Sequence, residues 1–210
     1  MANQNTTQEQ TGQSQHLITS TSFQILKDLP VPLSRSQCVL HKHEILICGG
    51  EGSQACYSYD TLKNEFKFIC EYPSDIILRG HCVVKLVDNN SKDDNQITLL
   101  SFGGWDKHTL IMKYVSVWSN ENNNSDNEKN RSNNYNKWVP FTDNHNNPIT
   151  IGRIEDIYEG ARAVIGGSNN HLLFITYPID NISVFNLNTF RFIKYSTLLI
   201  QDFSIANHCF

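Results

Sequence analysis

Apolar positions in this chain come in short runs, and several of the runs alternate with polar residues. "QCVLH" (37–41) and "EILICGG" (44–50) are apolar runs separated by the turn residues "KHE". "ACYSYD" (55–60) alternates around Tyr57 and Tyr59, and "EFKFI" (65–69) around Phe66 and Phe68. Period-two alternation cut by turn residues predicts four antiparallel strands. No stretch sustains a helical period.

The series then recurs. "HCVVKLV" (81–87), "ITLLSFGG" (97–104), "LIMKYVSVW" (110–118) and "KWVPF" (137–141) form a second copy, with the double glycine again closing the second strand. A third copy reads "ARAVI", "HLLFITYP", "NISVFN" and "FRFIKY" between 161 and 195, and the chain ends on "ANHCF", an echo of "RGHCV" (79–83). "YSYD", "VSVW" and "ISVF" align on Ser58, Ser116 and Ser183, and six residues separate Tyr59 from Phe66 as they separate Phe185 from Phe192. Cys38 and Cys82 lie 44 residues apart, and Ala163 and Cys209 lie 46 apart. A period in the forties built of four short strands predicts propeller blades. A polar, Asn-rich insertion at 119–136 reads as a disordered loop between the third and fourth strands of the middle copy, and 88–96 lengthens its first turn.

The strands ending in Gly49-Gly50 and Gly103-Gly104, with the spaced aromatic pairs, resemble kelch repeats from about residue 30 onward. The third copy has Thr176-Tyr177 in place of the glycines. The resemblance implies an all-β, kelch-type β-propeller in the form of an incomplete ring of about three four-stranded antiparallel blades. The expected organisation is a disordered polar tail at 1–21 and a partial propeller over 22–210. Within it, 22–30 is a lone outer strand, 31–73, 78–143 and 151–198 are blades, and 199–210 starts another. Closed propellers hold about four to eight blades, so the chain reads as part of a larger ring. Trp105-Asp106 follows an inner strand rather than ending a third one, which sets the sequence apart from the WD40 pattern.

Glycines after an inner strand let the backbone turn sharply and approach a neighbour. Tyr59, Phe66, Trp138, Phe185 and Phe192 are expected to fill the space between adjacent blades. For binding, the resemblance points to the loops before the first strand and after the second. These carry Arg35, Arg79 and Arg162, then Glu51, Ser53 and Gln54, then Trp105, Asp106, Lys107 and His108, with Asp180 in the third copy. A Trp among arginines and carboxylates has the composition of a binding hot spot; the plainer reading is solvated loop residues, or arginines tying blade to blade.

Composition adds exclusions. Net charge is −4 and gives no general attraction to nucleic acid or an anionic membrane, and neither is expected as a partner. The opening residues have neither the basic nor the apolar part of a secretory signal, so a cytoplasmic location and free, buried cysteines are expected. His81-Cys82 and His208-Cys209 occupy equivalent repeat positions, His41 and His43 straddle Lys42 at a turn and are expected to be surface-exposed, and no tetrahedral metal set can be assembled from the spacing. No cofactor is expected, and no nucleotide-binding or hydrolase motif is present. The leading expectation is a non-catalytic module that binds a protein partner through its loop face. An enzyme on the same fold, of sugar oxidase or epimerase type and with this chain as a fragment, is the alternative.

Overall fold

The computed structural model describes residues 26–87, 95–118 and 135–199. Among them are twelve strands and no helix. β1 (Gln37–His41), β2 (Glu44–Gly50), β3 (Ser53–Asp60) and β4 (Glu65–Glu71) form one antiparallel sheet in chain order. β5 (His81–Leu86), β6 (Gln96–Gly103), β7 (His108–Val115) and β8 (Val139–Pro140) form the second. β9 (Arg162–Gly166), β10 (Leu172–Tyr177), β11 (Asn181–Asn186) and β12 (Arg191–Thr197) form the third. β1 lies beside β5, and β5 beside β9. The first strands therefore line the centre and the fourth strands the outside, which is the propeller arrangement as an open arc of three sheets.

Two apolar layers hold the arc together. Leu46, Cys48 and Cys56 of the first sheet pack against Leu99, Met112, Tyr114 and Trp138 of the second. Leu100 and Phe102, on the other face of the second sheet, pack against Leu173, Ile175 and Phe185 of the third. The middle sheet is thus buried on both faces. That explains why "HCVV" and "LLSF" read as continuous apolar runs instead of alternating ones.

The aromatic spacing has a local cause. Asp60 Oδ1 accepts the backbone N–H groups of Leu62 and Lys63 at 2.8 and 2.9 Å, and Asn64 turns the chain back with φ +53°. Asn186 Oδ1 does the same for Asn188 and Thr189 at 2.8 and 3.1 Å, with Phe190 at φ +56°. Short polar side chains that bond the backbone two and three residues on are standard turn formers. Equal turns leave Tyr59 opposite Phe66 and Phe185 opposite Phe192, with ring centroids 4.7 and 5.0 Å apart.

Placement of the aromatics differs in part from expectation. Trp138, Phe185 and Phe192 pack between sheets, and Trp138 stacks on Tyr72 with centroids 4.5 Å apart. Tyr59 and Phe66 share a row with Leu40 and Ile45 on the face of the first sheet turned away from the second. Leu40 (67% exposed) and Phe68 (54%) leave that face partly open; Val164 (42%), beside Phe174 and Val184, does so on the far side of the third sheet.

The middle copy also departs from the sequence alignment. β7 ends at Val115, so "VSVW" lies largely past the strand instead of in register with "YSYD". The Asn136 side chain takes both backbone groups of Val115, accepting its N–H at 2.9 Å and donating to its C=O at 3.0 Å. With those groups satisfied, the chain leaves the sheet, and the Trp118 indole returns to donate to Ser58 Oγ at 2.9 Å. The last two residues of the insertion, Tyr135 and Asn136, are thus bound to the second sheet, while 119–134 lie outside the described residues. Residues 26–30, the described part of the expected lone strand, form no strand and meet the first sheet through Lys27 N–H and Asn64 Oδ1 at 3.1 Å.

Candidate loop-face interaction site

The segment entering each new sheet carries a short repeat, Leu78-Arg79-Gly80 before β5 and Tyr158-Glu159-Gly160 before β9. Leu78 and Tyr158 are buried at 3% and 1% exposure, and each plugs into the preceding sheet where a glycine stands. Gly49 has φ +52°, and a Cβ there would come within 2.3 Å of Leu78 Cδ1. Gly103 has φ +78°, and a Cβ there would meet the Tyr158 carbonyl oxygen at 3.1 Å. The double glycine therefore makes room for the next linker. Tyr177 stands at the matching place in the third sheet, with its ring 4.7 Å from that of Tyr158.

Backbone bonds then join the linkers near the centre. Gly160 N–H donates to the Gly80 carbonyl at 2.7 Å, Gly104 N–H to Tyr158 at 3.0 Å, and Trp105 N–H to Arg79 at 3.1 Å. Glu51 N–H donates in the same way to Ser34 at 2.7 Å. Glu51 and Trp105 are thus equivalent residues, each the first after the double glycine and each tied to the segment preceding its own sheet.

On this backbone the expected side chains converge. Arg79 Nε donates to Glu159 Oε1 at 2.7 Å, and its guanidinium lies 5.5 Å from the centre of the Trp105 ring. Arg35, at φ +53°, pairs with Glu51 at 3.2 Å and with Glu159 at 3.7 Å. Asp106 Oδ2 accepts the Ile77 N–H at 2.6 Å, and Lys107 Nζ donates to the carbonyls of Arg153, at 3.4 Å, and Ile154. Arg162 Nη1 donates to the carbonyls of Ala161 and His81 at 2.6 and 3.4 Å. Arg35, Glu51, Arg79, Trp105, Asp106, Lys107 and Arg162 thus all belong to contacts that connect loops or sheets. Half-exposed ion pairs of this kind contribute roughly 0–1 kcal/mol each; their larger effect is to fix side-chain positions.

Trp105 remains 60% exposed, and Ile77 (53%), Ile157 (53%) and Ile154 (95%) stand in the linkers that these contacts hold. The face combines exposed apolar side chains with a rim of paired charges, as interfaces do. Sequence reasoning missed Glu159, the carboxylate shared by Arg35 and Arg79. The signal was present in the repeat, where Arg79 and Glu159 occupy equivalent places of opposite charge.

Other sequence candidates lie elsewhere. His108 is buried instead of in the exposed loop, because it opens β7 and its Nε2 lies 2.8 Å from Ser101 Oγ. Ser101 also accepts the Tyr72 hydroxyl at 3.0 Å. His81 is fully buried, with Nε2 and Nδ1 lying 3.0 and 3.1 Å from the carbonyls of Cys48 and Leu78. His41 is buried as well, since the inward positions of β1 are 37, 39 and 41, and its ring meets the edge of Tyr114 at 6.2 Å. His43 pairs with Asp60 at 3.3 Å. Cys48, Cys56 and Cys82 are buried free thiols, whereas Cys38 is exposed on the outward face of β1. His208 and Cys209 lie outside the described residues. Asp180, at φ +57°, sits in the β10–β11 turn, and Ser53 and Gln54 open β3. Among the described residues no group of three His, Cys, Asp or Glu side chains is placed to hold a metal ion, and no helix is long and apolar enough to cross a membrane.

Neither a family model nor a curated protein matches the chain. Among solved structures it is similar to one titled "Structure of YjhT", at 14% sequence identity and a TM-score of 0.47, over 86% of this chain and 56% of that one. The chain therefore spans little more than half the length of that neighbour.

Proposed function

We propose that this chain is a non-catalytic, kelch-type interaction module that binds a protein partner through its loop face. Trp105 carries the reading. An exposed indole is held by its own backbone bond to Arg79 and by the Arg79 guanidinium, itself fixed by Glu159. Pre-positioned aromatic and arginine side chains lower the ordering cost of binding. Support for the kelch assignment is the use made of the double glycine that closes a second strand, which seats the next linker in both sheets where it stands there.

The test is photo-crosslinking in cells that make the protein, with a benzophenone amino acid at Ile77, or at Lys113, exposed on β7, as the control. A discrete adduct is expected from position 77 and not from 113. Trp105→Ala should lower its yield at least tenfold, the scale of a hot-spot truncation, while leaving the thermal midpoint nearly unchanged because the ring is exposed. Equal adducts at 77 and 113, or an adduct indifferent to Trp105→Ala, would contradict the proposal.

A further inference from the structure

Each junction inside the arc joins the far face of one sheet to the near face of the next. Val39 of β1 and Val83 of β5 meet in the layer between the first and second sheets, and Val84 of β5 and Ala163 of β9 in the layer between the second and third. The near face of the first sheet and the far face of the third are left over. On the near face, the row beside that of Tyr59 and Phe66 is Cys38, Ile47, Tyr57 and Phe68, and neither row holds a charged residue. Leu40, Phe68 and Cys38 are exposed there. The far face of the third sheet centres on Val164, Phe174 and Val184, with Val164 exposed. On the outer strands the two faces carry opposite charge. Glu71 of β4 lies opposite Ala55, on the side of Tyr57, whereas Lys194 of β12 lies opposite Val184 and Arg191 opposite Asn186.

From these faces we infer that two copies of this chain close a ring, with the first sheet of each packed on the third sheet of the other. A near face is covered by a far face at both junctions within the arc, and a second copy supplies the missing one of each kind. Three sheets from each copy make a ring of about six, inside the range of about four to eight at which propellers close. The two junctions are identical by two-fold symmetry, so the assembly stops at two copies instead of growing into a filament. A face of four strands about 4.8 Å apart and about six residues long covers roughly 400 Å². Two junctions of two faces each then bury roughly 1,500 Å², the size of a stable interface. Pairing through like faces, first sheet on first sheet, would bury half as much and leave both third sheets open. In the ring Val164 takes the place that Val39 and Val84 hold inside the arc, and Cys38 the place of Val83 and Ala163, so position 164 of one copy lies against Cys38 of the other. Apolar burial supplies the stabilisation, and the opposite charges on β4 and β12 favour the unlike pairing. This interface is separate from the proposed loop face and stands without it.

The experiment is light scattering on the full chain as it leaves a size-exclusion column. A single species of twice the 24.0 kDa chain mass is expected. Leu40→Asp and Val164→Asp should each return it to one chain mass, and both should stay folded because these side chains are exposed in the single arc. A second measurement does not depend on how those variants fold. Val164→Cys, treated with a short bis-maleimide and mapped by mass spectrometry, should give a covalent dimer linked between positions 38 and 164. Adding Cys38→Ser should lower the yield of that dimer at least tenfold. A monomer of one chain mass would overturn the inference, whether the faces stay open or another segment of the chain covers them. So would species larger than two copies, or a dimer whose links join position 38 to position 38.

Discussion

Replacing Gly80 with alanine is expected to cost about 2–5 kcal/mol. Gly80 has φ +68°, and a Cβ there would lie 2.5 Å from the Gly160 backbone nitrogen. A non-glycine residue in the left-handed region costs roughly 1–2 kcal/mol, and forcing atoms into a filled site about 1–3 more. The group that would be displaced is backbone, and it makes the 2.7 Å bond joining the two linkers, so no side-chain rotation can relieve the clash. Gly52→Ala is the control. Gly52 has φ +81° but no atom within 4 Å of an added Cβ, so only the strain of roughly 1–2 kcal/mol should appear. Urea unfolding of the two variants measures the difference; equal losses would mean that the close approach of the linkers contributes nothing.

Acid is expected to weaken the fold in a window set by two buried histidines. Burial pushes His81 down to about 4, although the carbonyls of Cys48 and Leu78 pull the other way. Burial and the nearby His81 push His108 down to about 3. Both values are below the unfolded value of about 6.5. Stability is therefore fully present above pH 6.5. As pH falls, the unfolded chain takes up protons that the fold refuses, and the loss continues down to the folded values. Each histidine then costs about 1.4 kcal/mol per pH unit, or about 3 kcal/mol between pH 6.5 and pH 4. Urea titrations at pH 7, 6, 5 and 4 should show this slope, and His81→Gln, which keeps one amide donor, should remove about half of it. An unchanged slope in that variant would place the acid sensitivity elsewhere.

Much of the architecture was legible because the information is local. The alternating and continuous apolar runs gave the strands of all three sheets, and the Asp60 and Asn186 turns explain the aromatic spacing on which the repeat was recognised. The third strand of the middle sheet was misread because its end is decided by Asn136, which follows a long polar insertion and pairs with Val115 across it. A hydrogen bond spanning 21 residues leaves no trace in a local period. Burial of His41 and His108 was missed for a related reason. A polar residue next to a turn looks solvated until the neighbouring sheet is placed over it. The candidate face was partly visible. Arg35, Arg79, Glu51 and Trp105 could be found from their places in the repeat, whereas Glu159 becomes important only when the first, second and third sheets meet at the centre.

The proposed interaction face is held in one shape in the free protein by bonds between segments entering different sheets. Amide hydrogen exchange of the free protein tests this most directly. The N–H groups of Gly104, Trp105 and Gly160 lie in loops, yet each donates to a carbonyl of a linker. They are expected to exchange on the timescale of β6 amides such as Leu99 and Leu100, at the core of the arc. Rapid exchange at these three positions, with β6 still protected, would show a face that is unformed in the free protein and would contradict the account.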